Sequence, residues 1–247
     1  MPTGSNNKKK YTYVWVSAII LVFGIFAVYE ITKRVKSGTV VENDRMSMAA
    51  GQNKVGFVVN QGKKRKVPEF QFLNQDSTLV TNEDYLGKVY VVEFFFTTCP
   101  TICPIMTQNL VELQNTFKDN EEFGVASFTI NPRYDTPSVL KRYAEKYGVT
   151  DKDWHFLTGN QEKIYELAQE GFYILANEDE EAPGGFEHSG MFALIDKNGY
   201  IRSREDQYGN PLIYYRGTIT EKQGVNADGE AQQITILKED IKKLLAE

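Results

Sequence analysis

The sequence predicts an α/β fold, a mixed sheet flanked by helices, preceded by one N-terminal transmembrane helix. Three observations predict it. Residues 11–29 (YTYVWVSAIILVFGIFAVY) carry no charged side chain. Val89–Phe96 (VYVVEFFF) is a nearly continuous apolar run, suited to a central strand buried on both faces. After it, helical and strand-like periodicities alternate to the end of the chain, the pattern of an α/β sheet.

The elements follow in chain order. As a helix, residues 11–29 reach about 29 Å, close to the hydrocarbon thickness of a bilayer. Tyr11, Tyr13, Trp15 and Tyr29 sit near the ends, where aromatic rings suit the interface. A cleaved signal peptide has a shorter apolar region and a small-x-small exit; Ala27-Val28-Tyr29-Glu30 fits that poorly. The reading is therefore a cytoplasmic tail over residues 1–10, a transmembrane anchor over 11–31, and a polar stalk or linker over 32–66. Lys8–Lys10 precede the span and Lys33, Arg34 and Lys36 follow it, so the positive-inside rule is nearly balanced. The short tail and the large following domain suit a domain facing outward. No Arg-rich, Ser-rich presequence is present, so the expected location is the bacterial inner membrane, single pass, with the domain in the periplasm. The stalk ends in Lys63–Lys66; such a cluster could touch anionic lipid, and a solvated turn is the plainer reading.

Residues 67–247 read as the folded domain. Phe70 and Phe72 alternate with polar neighbours, and with Thr78–Thr81 they suggest a strand pair. A helix runs from the cysteine region to Phe117 with Met106, Leu110 and Leu113 at helical spacing, and Phe123–Ile130 is a second buried strand. Thr136-Pro137 starts a helix that stops at Gly148, and Asn160 caps another that Gly171 ends. Met191–Asp196, Asn198-Gly199 and Tyr200–Arg204 form a hairpin. A further polar hairpin over Leu212–Ile236 and an amphipathic helix over Lys238–Leu245 complete the chain. Strand, helix and strand followed by a late hairpin and helix are the order of a thioredoxin-like sheet.

Composition narrows the function. A net charge of −5 lacks the basic footprint of a nucleic-acid binder. The only cysteines are Cys99 and Cys103. They close too small a loop to staple a fold, so a redox or metal site is the better reading. They lie in Thr97-Thr98-Cys99-Pro100-Thr101-Ile102-Cys103-Pro104, where a buried strand turns into a helix. Neither proline can lie deep in that helix, which starts around residues 101–104 with both sulfurs about its first turn. A helix N-terminus favours thiolate, the form needed for disulfide exchange and for metal. Thiolates select Cu(I), and an imidazole nearby would complete a site that also tolerates Cu(II). The two histidines are His155, in an apolar strand pattern and read as structural or surface, and His188, in a loop directly before Met191–Asp196.

Four segments in order, FFFTTCPTICPIM, INPRYDTPSVLKRYAEKYG, WHFLTG and EHSGMFALIDKNGYI, resemble the Sco/SenC family over about residues 67–204. The resemblance implies a thioredoxin-like, copper-binding protein that helps deliver copper to the copper A centre of cytochrome c oxidase. It places the metal ligands on Cys99, Cys103 and His188, with the copper-bearing oxidase subunit as partner and upstream copper donors or thiol reductases as further ones. The sequence departs from the family pattern at Glu187, where Asp usually precedes the ligand His, and at Asn131, where a further Asp is common; the acidic Glu178–Glu181 run and the long stretch over residues 207–233 are additions. The leading reading is a copper metallochaperone, and the alternative is a membrane-anchored thiol–disulfide oxidoreductase in which His188 only tunes the thiols. A peroxidase using Cys99 lacks the expected threonine and arginine context, and an inert disulfide is the blandest reading. Glu178–Glu181 reads as a solvated acidic loop, and Met46 and Met48 as ordinary linker residues, although their thioethers suit Cu(I).

Overall fold

The computed structural model describes residues 7–36, 55–179, 181–205 and 211–247. The chain forms two compact units, residues 1–49 and 50–247. The described residues of the first form one helix, α1 (Asn7–Lys36). Its described side chains, from Val14 to Phe26 and at Val28 and Tyr29, are exposed and mostly large and apolar. Among the described residues no helix is long and apolar enough to cross a membrane. The transmembrane anchor expected over residues 11–31 is therefore not established by the described residues.

The second unit is built on one sheet. Its strands are β1 (Val55–Phe57), β6 (Val89–Phe95), β7 (Phe123–Thr129), β8 (Trp154–Leu157), β11 (Met191–Ile195), β12 (Ile201–Arg204) and β13 (Tyr215–Arg216). Two-stranded ribbons join β2 (Val59–Asn60) to β3 (Lys63–Lys64), β4 (Gln71–Leu73) to β5 (Leu79–Thr81), and β9 (Ala176–Glu178) to β10 (Phe186–His188). The main order is β1-β12-β11-β6-β7-β8, with β13 on β11. Strands β6, β7 and β8 are parallel. The crossovers between them carry α2 (Cys103–Phe117) and α3 (Pro137–Tyr147), as parallel pairing requires. Strands β11, β12 and β1 are antiparallel to their neighbours. A short helix, α4 (Gln161–Glu166), and the final helix, α5 (Ile234–Leu245), complete the unit.

All seven residues of β6 and all seven of β7 are buried, as an apolar run in the middle of a parallel sheet must be. Phe94 stacks on Phe128 at 5.4 Å, and Phe95 meets Tyr143 at 5.5 Å. Gly148 stops α3 in the left-handed region at φ 72°, and the Asn160 side chain caps α4 by accepting from Lys163 N–H at 3.0 Å. Thr136 precedes Pro137 as expected but makes no side-chain cap.

Two segments differ from expectation. Residues 55–66, read as stalk, fold with the domain: β1 pairs with β12 and β2 with β3. The basic cluster lies on aromatic faces, Lys64 over Phe57 at 3.6 Å and Arg65 over Tyr173 at 3.5 Å, so cation–π attraction holds side chains that pattern alone leaves in solvent. The polar hairpin expected over Leu212–Ile236 does not form as one. Its first strand instead pairs with β11, Met191 opposite Arg216, and only an isolated bridge joins Val225 to Ala231.

Candidate metal centre

Topology brings the cysteines to the histidine. Both cysteines follow the C-terminal end of β6, and His188 ends β10 just before β11. Because β11 runs antiparallel to β6, its start lies beside the end of β6. Continuing the register of Ala193 opposite Val92 by five residues sets residue 188 level with residue 97. Residues 85 apart in sequence thus share one mouth.

The ligand atoms of Cys99, Cys103 and His188 all lie within 4.8 Å of one another. Cys103 Sγ and His188 Nε2 are 3.2 Å apart. Both cysteines are buried and free, and His188 is half-buried. Ile102, at the start of α2, offers no side-chain cap. Instead the Cys103 backbone N–H donates to Cys99 Sγ at 3.4 Å, so a sulfur satisfies one of the free donors of the helix end. The Cys103 side chain foremost, with His188 and the backbone amides of Cys103 and Thr101, holds the Cys99 thiol far below its usual range, to about 3, against the opposing effect of burial. Burial first, then the neighbouring Cys99, pushes the Cys103 thiol up. The reduced, metal-free pair therefore holds one thiolate and one thiol. Two sulfurs and a neutral imidazole are a soft donor set, which suits Cu(I) over hard cations.

The surrounding shell fixes these groups. Phe96 meets the His188 ring edge-on at 5.7 Å. Fully buried Asp135 accepts from the Thr97 N–H at 3.1 Å, from the Thr97 hydroxyl, and from Thr129 Oγ1 at 2.5 Å. It thereby ties the loop before Cys99 to β7. His188 Nδ1 is buried and has no hydrogen-bond partner among the described residues. Exposed Glu187 therefore does not orient the ring. Asn131, the other departure, turns the loop after β7: its carbonyl accepts from Asp135 N–H at 2.9 Å.

His155 stands apart from this cluster, half-buried, with Nδ1 3.3 Å from Asn74 Nδ2 and burial lowering its pKa. It is a structural histidine. In the acidic run, Glu178 pairs with Arg133 at 3.6 Å and with Gln161 at 2.6 Å, while Glu180, Met46 and Met48 lie outside the described residues.

Sequence reasoning passed over Glu93, a lone charge inside the apolar β6 run. It is fully buried, accepts from Ser127 Oγ at 2.7 Å, and its second oxygen has no partner among the described residues. Burial pushes its carboxyl up to about 8, partly offset by Ser127. Below that pH the native state keeps a proton that the unfolded chain releases near pH 4.5. The unfolded state then binds fewer protons, so this group makes stability fall as pH rises between those values and level off above about 8. Glu93→Gln is expected to flatten that slope, read as urea midpoints at pH 5.5 and pH 8. An unchanged slope would place the titration elsewhere.

Fold and site together define a class: a thioredoxin-like domain whose cysteine pair, at the start of a helix, meets a histidine from across the sheet. The family model SCO1/SenC matches residues 58–215, and the chain belongs to this family. The SCO1 protein homolog of Bacillus subtilis is 35% identical over 138 residues, which are 55% of this chain and 71% of that protein. A SCO1/SenC family lipoprotein from Bacillus anthracis superposes with a TM-score of 0.61 at 30% identity, covering 74% of this chain and 96% of that one. BsSco, a member of the Sco family of cytochrome c oxidase assembly proteins in which a disulfide switch was identified, gives a TM-score of 0.58 at 28% identity over 74% and 94%.

Proposed function

We propose that this protein is a copper metallochaperone. It binds one copper through the Cys99 and Cys103 thiolates and the His188 imidazole, and assists assembly of the copper A site of cytochrome c oxidase. The observation that carries this reading is the convergence of three soft or borderline donor atoms within 4.8 Å. Copper is cargo here. Loading displaces the proton of Cys103, and Cys99 already stands as thiolate. Oxidation of the pair to a disulfide, with two electrons and the Cys103 proton passing to an acceptor disulfide that leaves as one thiol and one thiolate, removes both sulfur donors and so gates loading. A copper-bearing oxidase subunit is the recipient, with copper donors or thiol reductases upstream. Helix α1 would tether the folded domain, residues 55–247, to the bacterial inner membrane, facing the periplasm; the helix's row of exposed apolar side chains and the lipoprotein among the chain's relatives support a membrane association.

A thiol–disulfide oxidoreductase is the second reading, favoured by the unequal thiols. His188→Ala separates the two. A chaperone loses copper affinity by more than about 100-fold, beyond the 10–100-fold typical of groups behind the ligands, and keeps disulfide exchange with a small dithiol. If copper affinity survives while exchange is largely kept and only its pH dependence shifts, the oxidoreductase reading replaces it.

A further inference from the structure

The long stretch over residues 207–233 has no part in the ligand set, yet its middle lies against the site. Strand β13 pairs with the first residues of β11, Phe192 opposite Tyr215. Directly after it, the Gly217 N–H donates to the Gly190 carbonyl at 2.8 Å, two residues beyond His188. Asn109, 1% exposed on α2, closes the other side: its Nδ2 donates to the carbonyls of Gly217 at 2.8 Å and Ile219 at 3.2 Å. Asn109 stands six residues after Cys103 on the same helix. The packing is close. A Cβ on Gly217 would lie 2.6 Å from the Phe192 ring. A Cβ on Gly190 would overlap Thr218 Cγ2 and come within 3.4 Å of Ile102 Cδ1. Gly190 does not occupy the left-handed region, so the Thr218 methyl, not the backbone, is what excludes a side chain there.

We infer that the strap Tyr215–Ile219, held by Asn109, positions His188 against the cysteine pair. The strap is the physical link between the helix that starts at Cys103 and the loop that carries His188, and its glycines permit the approach. It begins at residue 215, where the family match ends. Phe96 contacts the His188 ring on one side, and His188 Nδ1 has no hydrogen-bond partner among the described residues. With no such bond at Nδ1, the backbone on either side of His188 joins Phe96 and the 3.2 Å contact to Cys103 Sγ in setting where Nε2 points. Asn109 is thus a positioning residue, and the metal arm of the test rests on the copper reading above.

The test uses the full chain, reduced, as Gly190→Ala, Asn109→Ala and the double variant Gly190→Ala/Thr218→Ser, which removes the obstructing methyl. In the metal-free protein, amide exchange at Gly217 and the imidazole NMR signal of His188 report the strap. Both should move in the two single variants and return in the double variant. Copper affinity should fall about 10–100-fold in the single variants, the range of groups that orient a ligand, and recover in the double. Amide exchange in β8, two strands from β6 in the sheet, should stay at the wild-type rate throughout, which general loosening of the fold would not allow. An unmoved His188 signal, or a double variant that recovers nothing, overturns the inference. If the wild-type chain holds no copper, the copper reading fails alone, and the metal-free signals still decide the role of the strap.

Discussion

Cys103→Ala will cost the full chain its stoichiometric copper. The side chain is fully buried at the start of α2, and its sulfur is the one that stands 3.2 Å from His188 Nε2. Alanine fills most of the same space without a donor. What remains is one thiolate and one imidazole, too few to hold a soft ion against a competing chelator. The loss should exceed about 100-fold, beyond what outer-sphere changes produce. A second effect follows from the same contact. The Cys103 side chain is the main reason that Cys99 is held low. Without it, the midpoint of the Cys99 alkylation profile should climb from about 3, and should stop short of an ordinary thiol because His188 and the helix amides remain. Copper retained after desalting and alkylation rate against pH check the two effects. A variant that keeps copper with the wild-type profile would show that the pair does not act as a unit.

Asp240→Ala should be the most destabilising exchange far from the ligands. Asp240, on α5, is fully buried. Its carboxylate accepts from Arg204 Nε at 2.9 and 3.1 Å, from an Arg204 terminal nitrogen at 2.5 Å, from the Tyr215 hydroxyl at 2.9 Å and from Lys243 Nζ at 3.0 Å. Removing it leaves the mostly buried Arg204 guanidinium with exposed Glu239 as its remaining carboxylate and a buried hydroxyl without an acceptor. Breaking a buried pair in this way costs about 3–5 kcal/mol. The urea midpoint at constant slope measures it. Asp240→Asn, which keeps an acceptor oxygen, should lose less. A loss below about 1 kcal/mol would mean that Arg204 finds other partners. Tyr215 belongs to the strap, so the same exchange should also loosen the His188 loop.

Much of this fold is legible where short-range patterns decide it. The VYVVEFFF run became the central strand, and the spacing of Met106, Leu110 and Leu113 became the buried face of α2. Asn198-Gly199 became the tight turn, with Gly199 at φ 80° and Asp196 Oδ1 accepting from both Asn198 and Tyr200 N–H at 3.0 Å. Pairings that depend on distant partners were not legible. Strand β1 has three residues and joins the sheet only because β12 offers it an edge; nothing in VGF announces that. The Arg216 strand pairs with β11, 25 residues away, so local turn chemistry pointed to the wrong neighbour. The cysteine pair stood out from its own spacing. His188 stood out mainly through family resemblance, since a lone histidine before a strand carries little chemistry of its own. Asn109 and Gly217 left no local signal, because their roles exist only where α2, β11 and the strap meet. Glu93 did leave one, a charge in an otherwise apolar strand.

The central claim is that Cys99, Cys103 and His188 form one copper site gated by the thiols. The measurement that tests it most directly is copper stoichiometry on the full chain under anaerobic conditions, once with the cysteines reduced and once after oxidation to the disulfide. The account predicts one copper per reduced chain, with spectroscopic marks of thiolate and imidazole ligation, and none per oxidised chain. No copper on the reduced chain, or equal copper on both, would contradict it.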